Sequence, residues 1–185
     1  MRTLFIIPLV LMSLVSFPSW GLSMDDLVER EGLFYKKFTD VPFSGEVEGT
    51  DQGKFKNGKK EASWMVYRTT GQLLEKGNYK NNKRQGYWTY YHKDGQVNFR
   101  GHYKNGKKNG PFEWYYSNGQ LLQNGNFDDG IMQGFWEYFH SNGQLSSKGK
   151  FKNGNHLGYW EYFNKDGTVN EKYTGTYKYG LKVSD

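Results

Sequence analysis

The sequence predicts an all-β protein: an elongated, single-sheet antiparallel meander of tandem 24-residue β-hairpin repeats. Three observations predict this class. Aromatic residues make up 18% of the chain, and 24 glycines accompany only 4 prolines, which is a composition of strands and turns. Glycine and aromatic residues recur with a period of 24 positions. Asn-Gly or Asp-Gly pairs, which are strong hairpin signals, separate the recurring segments.

The overall composition excludes several classes of protein. The 185 residues include 25 Lys and Arg against 19 Asp and Glu, so the formal net charge is +6. The chain has no cysteine, which excludes disulfides, thiolate metal sites and a cysteine nucleophile. Its aromatic content is too high for a disordered chain, although the mean hydropathy is −0.89.

Residues 1–23 have the pattern of a secretory signal peptide. A short positive start precedes the apolar run 4–15, and small residues then predict cleavage after Gly21 or Ser23. An uncleaved membrane anchor is the less favoured alternative, because a membrane span needs about 20 apolar residues. The sequence therefore predicts an exported protein, periplasmic or secreted.

Five copies of the repeat are predicted at 53–76, 77–100, 101–124, 125–148 and 149–174. Each copy begins with a glycine, which weakens the interior of a strand. An aromatic ring from the neighbouring strand, placed over the bare backbone, would compensate for this weakness. The twelfth position of each copy supplies that ring: Trp64, Trp88, Phe112, Trp136 and Trp160.

The two ends of the array are predicted to be caps. Residues 24–52 form the N-terminal cap, with a short helical turn within 24–30 and a degenerate first hairpin over 33–45. Residues 175–185 form a partial capping repeat. Repeat arrays need atypical ends of this kind because a free sheet edge would otherwise pair with other chains.

The recurring pattern Gly-x-Tyr/Phe-x-Asn-Gly-x-x-x-Gly-x-Trp-x-x-Tyr-x-x-x-Gly-Gln-Leu resembles the MORN-variant repeat, most cleanly over 77–97. Chains built from such repeats are commonly named YwqK-family antitoxins, after the partner of a bacterial toxin. The lead-in over 24–45 is similar to that of exported bacterial members. The resemblance implies a hairpin array used for binding, with a protein partner that could be a toxin, and it implies no catalytic residue.

The residues themselves also indicate no enzyme, no metal and no cofactor. His92 and His140 share a repeat position two copies apart, which places them roughly 19 Å from each other on a sheet. His102 and His156 fall in solvent-facing or turn positions. One further column consists of carboxylates spaced by about 10 Å, which a solvated sheet face explains: Glu113, Glu137 and Glu161.

Two surfaces are candidates for binding. One is the aromatic rows, which are more simply explained as the packing layer of a thin sheet but could expose one edge to a protein or to sugar rings: Trp64, Trp88, Trp114, Trp136, Trp160, Tyr90, Tyr138 and Tyr162. The other is the basic turn tips, represented by one cluster: Lys104, Lys107 and Lys108.

These surfaces lead to two hypotheses. The first is an exported, non-enzymatic scaffold for protein–protein interaction that resembles the YwqK-family antitoxins. The alternative is an envelope or membrane-surface binding protein that uses the basic tips and aromatic rows to contact anionic headgroups. Nucleic acid is an unlikely partner, because export would separate the protein from it.

Overall fold

The computed structural model describes residues 21–185. Most of the segment predicted to be a signal peptide therefore lies outside the described residues, and that prediction stays a prediction. The strands are β1 Leu27–Arg30, β2 Leu33–Lys36, β3 Gly45–Val47, β4 Asp51–Lys56, β5 Lys59–Tyr67, β6 Leu73–Lys80, β7 Lys83–Tyr91, β8 Val97–Lys104, β9 Lys107–Tyr115, β10 Leu121–Asp128, β11 Ile131–Phe139, β12 Leu145–Lys152, β13 Asn155–Tyr162, β14 Gly175–Lys178 and β15 Leu181–Ser184.

Strands β3 to β15 form one 13-stranded sheet in which the order of the strands follows the order of the chain. Every neighbouring pair is antiparallel, and β1 and β2 form a separate two-stranded hairpin. At about 4.8 Å between strands the sheet is roughly 60 Å long. The predicted fold class, an all-β single-sheet meander of tandem hairpins, is confirmed.

Two kinds of turn alternate along the sheet and produce two different margins. On the tight-turn margin both central residues have positive φ, as at Asn105 (52°) and Gly106 (86°), which is the type I′ geometry that suits twisted strands. On the loop margin only the glycine is left-handed, as at Gly95 (86°). That loop is closed by a hydrogen bond of 2.8 Å from the His92 amide to the Gln96 carbonyl.

A second glycine marks a β-bulge in the second to fifth copies, and Ala62, with φ of 58°, occupies the same position in the first copy. Gly86, Gly134 and Gly158 have φ between 71° and 73°, and no atom lies within 4 Å of a Cβ built there. The register of β6 and β7 shifts beside Gly86, between Lys76 and Asn78. These glycines therefore supply left-handed backbone for a bulge, which strengthens the twist, and they do not serve close packing.

The N-terminal cap differs from the prediction in two respects. The helical turn is confined to Met24–Asp26, where the Ser23 hydroxyl accepts a hydrogen bond from the Asp25 amide. Residues Leu27–Arg30 continue as strand β1, and β1 pairs with β2, so the first hairpin begins earlier than predicted. The reason is a left-handed Glu31-Gly32 turn, with φ of 51° and 74°, that joins the two strands.

The cap hairpin packs on the first copy. The Phe34 ring lies 4.9 Å from the Phe55 ring, and the Phe34 amide donates to the Gly58 carbonyl at 2.8 Å. Leu27 is buried in the same cluster. Residues 21–185 include no helix with the length and apolar character needed to cross a bilayer.

Candidate binding surfaces

The sheet has two faces, and each copy contributes to both because side chains alternate along a strand. The packed face carries the twelfth-position rings, for example Trp136. The open face carries the eleventh-position residues, which immediately precede those rings in the sequence: Ser63, Tyr87, Pro111, Phe135 and Tyr159. Because neighbours in sequence point to opposite faces, a substitution on one face leaves the side chains of the other face unchanged.

On the packed face each twelfth-position ring lies on a glycine of the preceding strand. A Cβ built on Gly125 would overlap the indole of Trp136, and the same holds for the glycine facing each other ring. The indole Nε1 of Trp136 donates to the Asn126 carbonyl at 3.2 Å. The prediction that an aromatic ring covers the bare glycine backbone is confirmed in all five copies: Gly53 with Trp64, Gly77 with Trp88, Gly101 with Phe112, Gly125 with Trp136 and Gly149 with Trp160.

The outer side of these rings is covered by the eighth residue of the same copy. The Arg84 guanidinium lies 4.2 Å from the centre of the Trp88 ring. The His156 ring stacks on the Trp160 ring at 3.9 Å with an interplanar angle of 23°. His156 is therefore part of the packed face, and its predicted solvent-facing or turn position is wrong. Burial lowers the pKa of His156.

Four of the predicted binding residues are sealed by this arrangement. Their exposed fractions are 0–1%, so their side chains contact glycine backbone and neighbouring rings and no partner: Trp64, Trp88, Trp136 and Trp160. As candidates for a contact surface they are wrong, and the packing explanation applies. Aromatic rings of this size contribute stability by burial and by edge-to-face contacts, such as the 5.2 Å contact of Trp136 with Phe127.

The other four predicted aromatic residues form a second row on the packed face and keep part of their surface in solvent: Tyr90, Trp114, Tyr138 and Tyr162. The Trp114 ring lies 5.3 Å from the Phe112 ring and 6.0 Å from the Trp136 ring. Tyr138 lies 6.3 Å from Trp160. This row therefore links one copy to the next while remaining partly exposed.

The half-buried Tyr138 gives a prediction about alkaline stability. Burial raises the pKa of Tyr138 to about 12, from an ordinary value of about 10. The stability that the protonated Tyr138 hydroxyl contributes is therefore fully present below about pH 10, and it is lost as the pH rises towards 12. We expect Tyr138→Phe to lose less stability than the wild type between neutral pH and pH ~11, by about 1 kcal/mol or less given the partial exposure. Urea unfolding across this range measures it. Tyr87→Phe, on the exposed side, is the control and should follow the wild-type profile.

The predicted basic cluster is not a cluster in the structure, because adjacent residues of β9 point to opposite faces. Lys108 lies over the packed face, with its ammonium 4.9 Å from the centres of the Trp114 and Phe127 rings. Burial lowers the pKa of Lys108. Lys107 pairs with Asp129 at 2.5 Å, and Lys104 alone is exposed without such a contact.

The histidines in the sixteenth position join one copy to the next. Nε2 of His92 lies 3.0 Å from the Tyr115 carbonyl, and Nε2 of His140 lies 2.9 Å from the Phe163 carbonyl. Each contact spans 23 residues and so ties neighbouring copies together at the loop margin. Among residues 21–185 no group of three or more His, Cys, Asp or Glu side chains could hold a metal ion.

The open face carries a ladder of charged and polar side chains from strand to strand. Arg100 forms an ion pair with Glu113, and the hydroxyl of Tyr115 donates to the same carboxylate at 2.8 Å. Lys148 and Glu161 form the equivalent pair at 2.9 Å two copies later. Both carboxylates are therefore part of the solvated ladder.

Shallow clefts recur along the open face. One of about 400 Å³ lies between Tyr87 and Pro111, and one of about 220 Å³ lies between Pro111 and Phe135. Tyr87, Phe135 and Tyr159 expose half or more of their surface. These residues were missing from the sequence-based candidates, although their position directly before the buried ring is the signal that places them on the opposite face.

Comparison with known families identifies the repeat. Residues 60–81, 84–105, 108–129 and 132–153 match the family model described as the MORN repeat variant. The segment 60–153 consists of four tandem MORN-variant repeats. Each matched unit begins at or near the second strand of one copy and ends near the tight turn of the next. The MORN-variant unit is therefore the hairpin that crosses the boundary between two 24-residue copies.

Other comparisons add little. No curated protein matches the sequence. A crystal structure of a GtfA/B complex bound to UDP and GlcNAc aligns with 78% of this chain and 28% of its own chain, at 12% identity and a TM-score of 0.19. At that TM-score the likeness carries no argument. The MORN-variant repeats and the geometry of the two faces are thus the basis for a functional interpretation.

Proposed function

We propose that the protein is an exported, non-enzymatic repeat scaffold that binds a protein partner on the open face of its sheet. MORN-variant repeats support a binding scaffold as the general class. The toxin-neutralising role of the YwqK-family antitoxins is the finer form of this proposal, and it rests on the resemblance of the sequence. A toxin encoded beside this chain, and inactivated by it in the periplasm, would support that finer role.

The observation that carries the proposal is the contrast between the two faces. The packed face uses its large rings to hold the sheet together. The open face exposes rings that nothing in residues 21–185 covers, with Tyr87 at 65% and Tyr159 at 57% exposed. Exposed aromatic residues on a rigid surface are typical of protein interfaces.

Site-specific photo-cross-linking in living cells tests the proposal. A photoreactive phenylalanine analogue would replace Tyr87, Phe135 or Tyr159 on the open face, with the exposed Lys93 on the loop margin as the matched control. We expect a discrete protein adduct from the open-face positions and none from the control. Adducts of equal yield from all positions, or from none, would contradict a scaffold that binds through this face.

The alternative hypothesis, attachment to an anionic membrane or envelope surface through basic turn tips, has less support. Lys107 is paired with Asp129, and Lys108 is drawn over aromatic rings. Only Lys104 of that cluster projects freely into solvent. A single lysine near a membrane surface contributes about 1 kcal/mol, so this cluster alone does not suffice for stable attachment.

The contacts of the N-terminal cap support one of the two predicted cleavage sites over the other. The Leu22 carbonyl accepts a hydrogen bond from the Glu48 amide at 2.8 Å, and Ser23 caps the Met24–Asp26 turn. Cleavage after Gly21 keeps both contacts, whereas cleavage after Ser23 removes them. We therefore expect mass spectrometry of the exported protein to find Leu22 as the first residue. A chain that starts at Met24 would show that these contacts are dispensable, and a chain that starts at Met1 would contradict cleavage itself.

A further inference from the structure

The open face departs from the repeat pattern in its C-terminal half. In the first copy, the seventh, ninth and eleventh positions are all polar, whereas later copies place apolar side chains at these positions: Lys59, Glu61 and Ser63 against Ile131 and Phe135, then Leu157 and Tyr159, then Leu181 and Val183. Phe135 is 50% exposed, Leu157 42% and Leu181 72%. Repetition explains what the copies share, so this change needs a reason of its own.

Lysines on the strands between them accompany these apolar residues. Lys150 is the cross-strand neighbour of both Phe135 and Leu157, and Lys178 is the neighbour of Leu181. Side chains paired in this way stand about 5 Å apart on one face. Within residues 21–185 no carboxylate lies within 4.0 Å of either ammonium group. We call the six residues the C-terminal patch: Phe135, Lys150, Leu157, Tyr159, Lys178 and Leu181.

Leu157 also replaces a contact between copies. In three of the four preceding copies the ninth-position side chain accepts a hydrogen bond from the amide of the next tight turn: Glu61 from Asn81 at 2.9 Å, Gln85 from Asn105 at 3.0 Å and Gln133 from Asn153 at 3.0 Å. In the third copy the Asn109 side chain instead donates to Asp128 at 3.3 Å. Leucine has no acceptor for the corresponding amide of Tyr179. The chain thus lacks a stabilising hydrogen bond where it exposes an apolar side chain, which folding alone does not explain.

We propose that the C-terminal patch docks a segment of the partner protein that is acidic and apolar, with carboxylates that meet Lys150 and Lys178 and with leucine or aromatic side chains that meet Phe135, Leu157 and Tyr159. This inference rests on the proposed function, because it specifies the chemistry of the partner of the open face. Charge complementarity supports this occupant: two ammonium groups without a carboxylate partner lie among exposed apolar side chains, and they would repel a basic segment.

A cleft at the patch favours a protein segment over a lipid surface. It measures about 230 Å³ and lies between Leu157 on β13 and Lys178 and Tyr179 at the end of β14. A recess of this size accepts one projecting side chain, which a protein segment supplies. Peripheral attachment to a bilayer relies mainly on side chains that protrude into it, and a recess does not supply these.

Peptide selection tests directly which residue types and which net charge the patch prefers in a bound segment. A display library of random 16-residue peptides would be selected against the purified full chain. We expect the selected peptides to be rich in Asp and Glu and in Leu and Phe, with a negative net charge. We also expect their affinity to fall as ionic strength rises. Selected peptides with a neutral or positive net charge would overturn the proposal.

Variants locate the binding on the patch. Lys150→Glu combined with Lys178→Glu should lower the affinity for the tightest-binding selected peptide at least tenfold. Leu157→Gln should weaken it similarly, and this variant restores the acceptor found in other copies, so it should fold at least as well as the wild type. The matched control is Lys56→Glu with Lys80→Glu, the same charge change on exposed lysines of earlier copies, and it should change affinity less than twofold.

Two outcomes separate this inference from the proposed function. If the open-face positions cross-link a protein but the selected peptides bind the control and patch variants equally, the scaffold role stands and the patch assignment fails. If vesicles of phosphatidylglycerol bind the wild type, lose binding on Leu157→Gln, and no peptide is selected, the occupant is a membrane and the inference is overturned. Failure of cross-linking together with failure of selection removes both.

Discussion

Replacing Trp136 by alanine should lower the free energy of unfolding by about 3–5 kcal/mol, the range for a fully buried large aromatic side chain. Trp136 has an exposed fraction of 0% and contacts the rings of Phe127 and Phe151 at 5.2 and 5.9 Å. Its removal leaves a cavity in the centre of the array, where copies on both sides depend on it. Urea denaturation followed by circular dichroism measures the loss.

The neighbouring Phe135 provides the matched control. It precedes Trp136 in the same strand but lies half-exposed on the open face. Phe135→Thr keeps a residue that favours strands and should cost less than about 1 kcal/mol. Equal costs for the two variants would contradict the assignment of packed and open faces.

The second large effect is expected from the smallest change, Gly125→Ala. A Cβ at this position overlaps the indole of Trp136, so the ring or the backbone must move. Overpacking of this kind costs about 1–3 kcal/mol and more where the backbone cannot adjust. In an ordinary strand the same change would gain about 0.5–1 kcal/mol, so the sign of the effect is itself diagnostic.

A double-mutant cycle shows whether the ring is the cause. In a Trp136→Ala background the space above Gly125 is empty, and Gly125→Ala should then be neutral or stabilising. The coupling between the two changes should exceed about 1 kcal/mol, the size expected for residues in direct contact. If Gly125→Ala costs the same with and without the indole, the glycine is required for another reason.

The sequence predicts the packed face almost completely. The 24-residue period, the Asn-Gly turns and the glycine column together lead to a meander in which Trp64 and its equivalents cover glycine backbone. These features follow from local rules that every copy repeats, so several copies support each inference. Local chemistry and overall architecture agree, which is the condition under which reasoning from sequence is reliable.

The binding surface was harder to predict, although alternation assigns its side chains to the correct faces. Arg84 and Trp88 are four residues apart, so they share a face, and the register shift beside Gly86 spans two residues and preserves that parity. The same spacing places Lys108 over Phe112 and His156 on Trp160. Alternation does not show how closely an eighth-position side chain approaches the ring, because the bulge bends the strand between them.

The N-terminal cap was also predicted incompletely. Its acidic start favours a helical turn, which exists only over Met24–Asp26. The left-handed Glu31-Gly32 turn sets the position of the hairpin, yet glutamate is not typical of such a turn, where asparagine or aspartate usually precedes the glycine. Because the cap occurs only once, its strands cannot be assigned by comparison with equivalent segments, as the strands of the repeats can.

The alternation of two faces also governs how such a protein can change in length. A single residue added within a strand would exchange every side chain beyond it between the buried and the solvated side, whereas 24 added residues would extend the sheet by two strands and preserve both. The copy at 149–174 is two residues longer than the others, and its extra length lies between β13 and β14, outside any strand, where it leaves this parity intact. Evolution can therefore lengthen or shorten the molecule in whole hairpins, and each such step adds or removes about 10 Å of sheet length along which a ligand can bind.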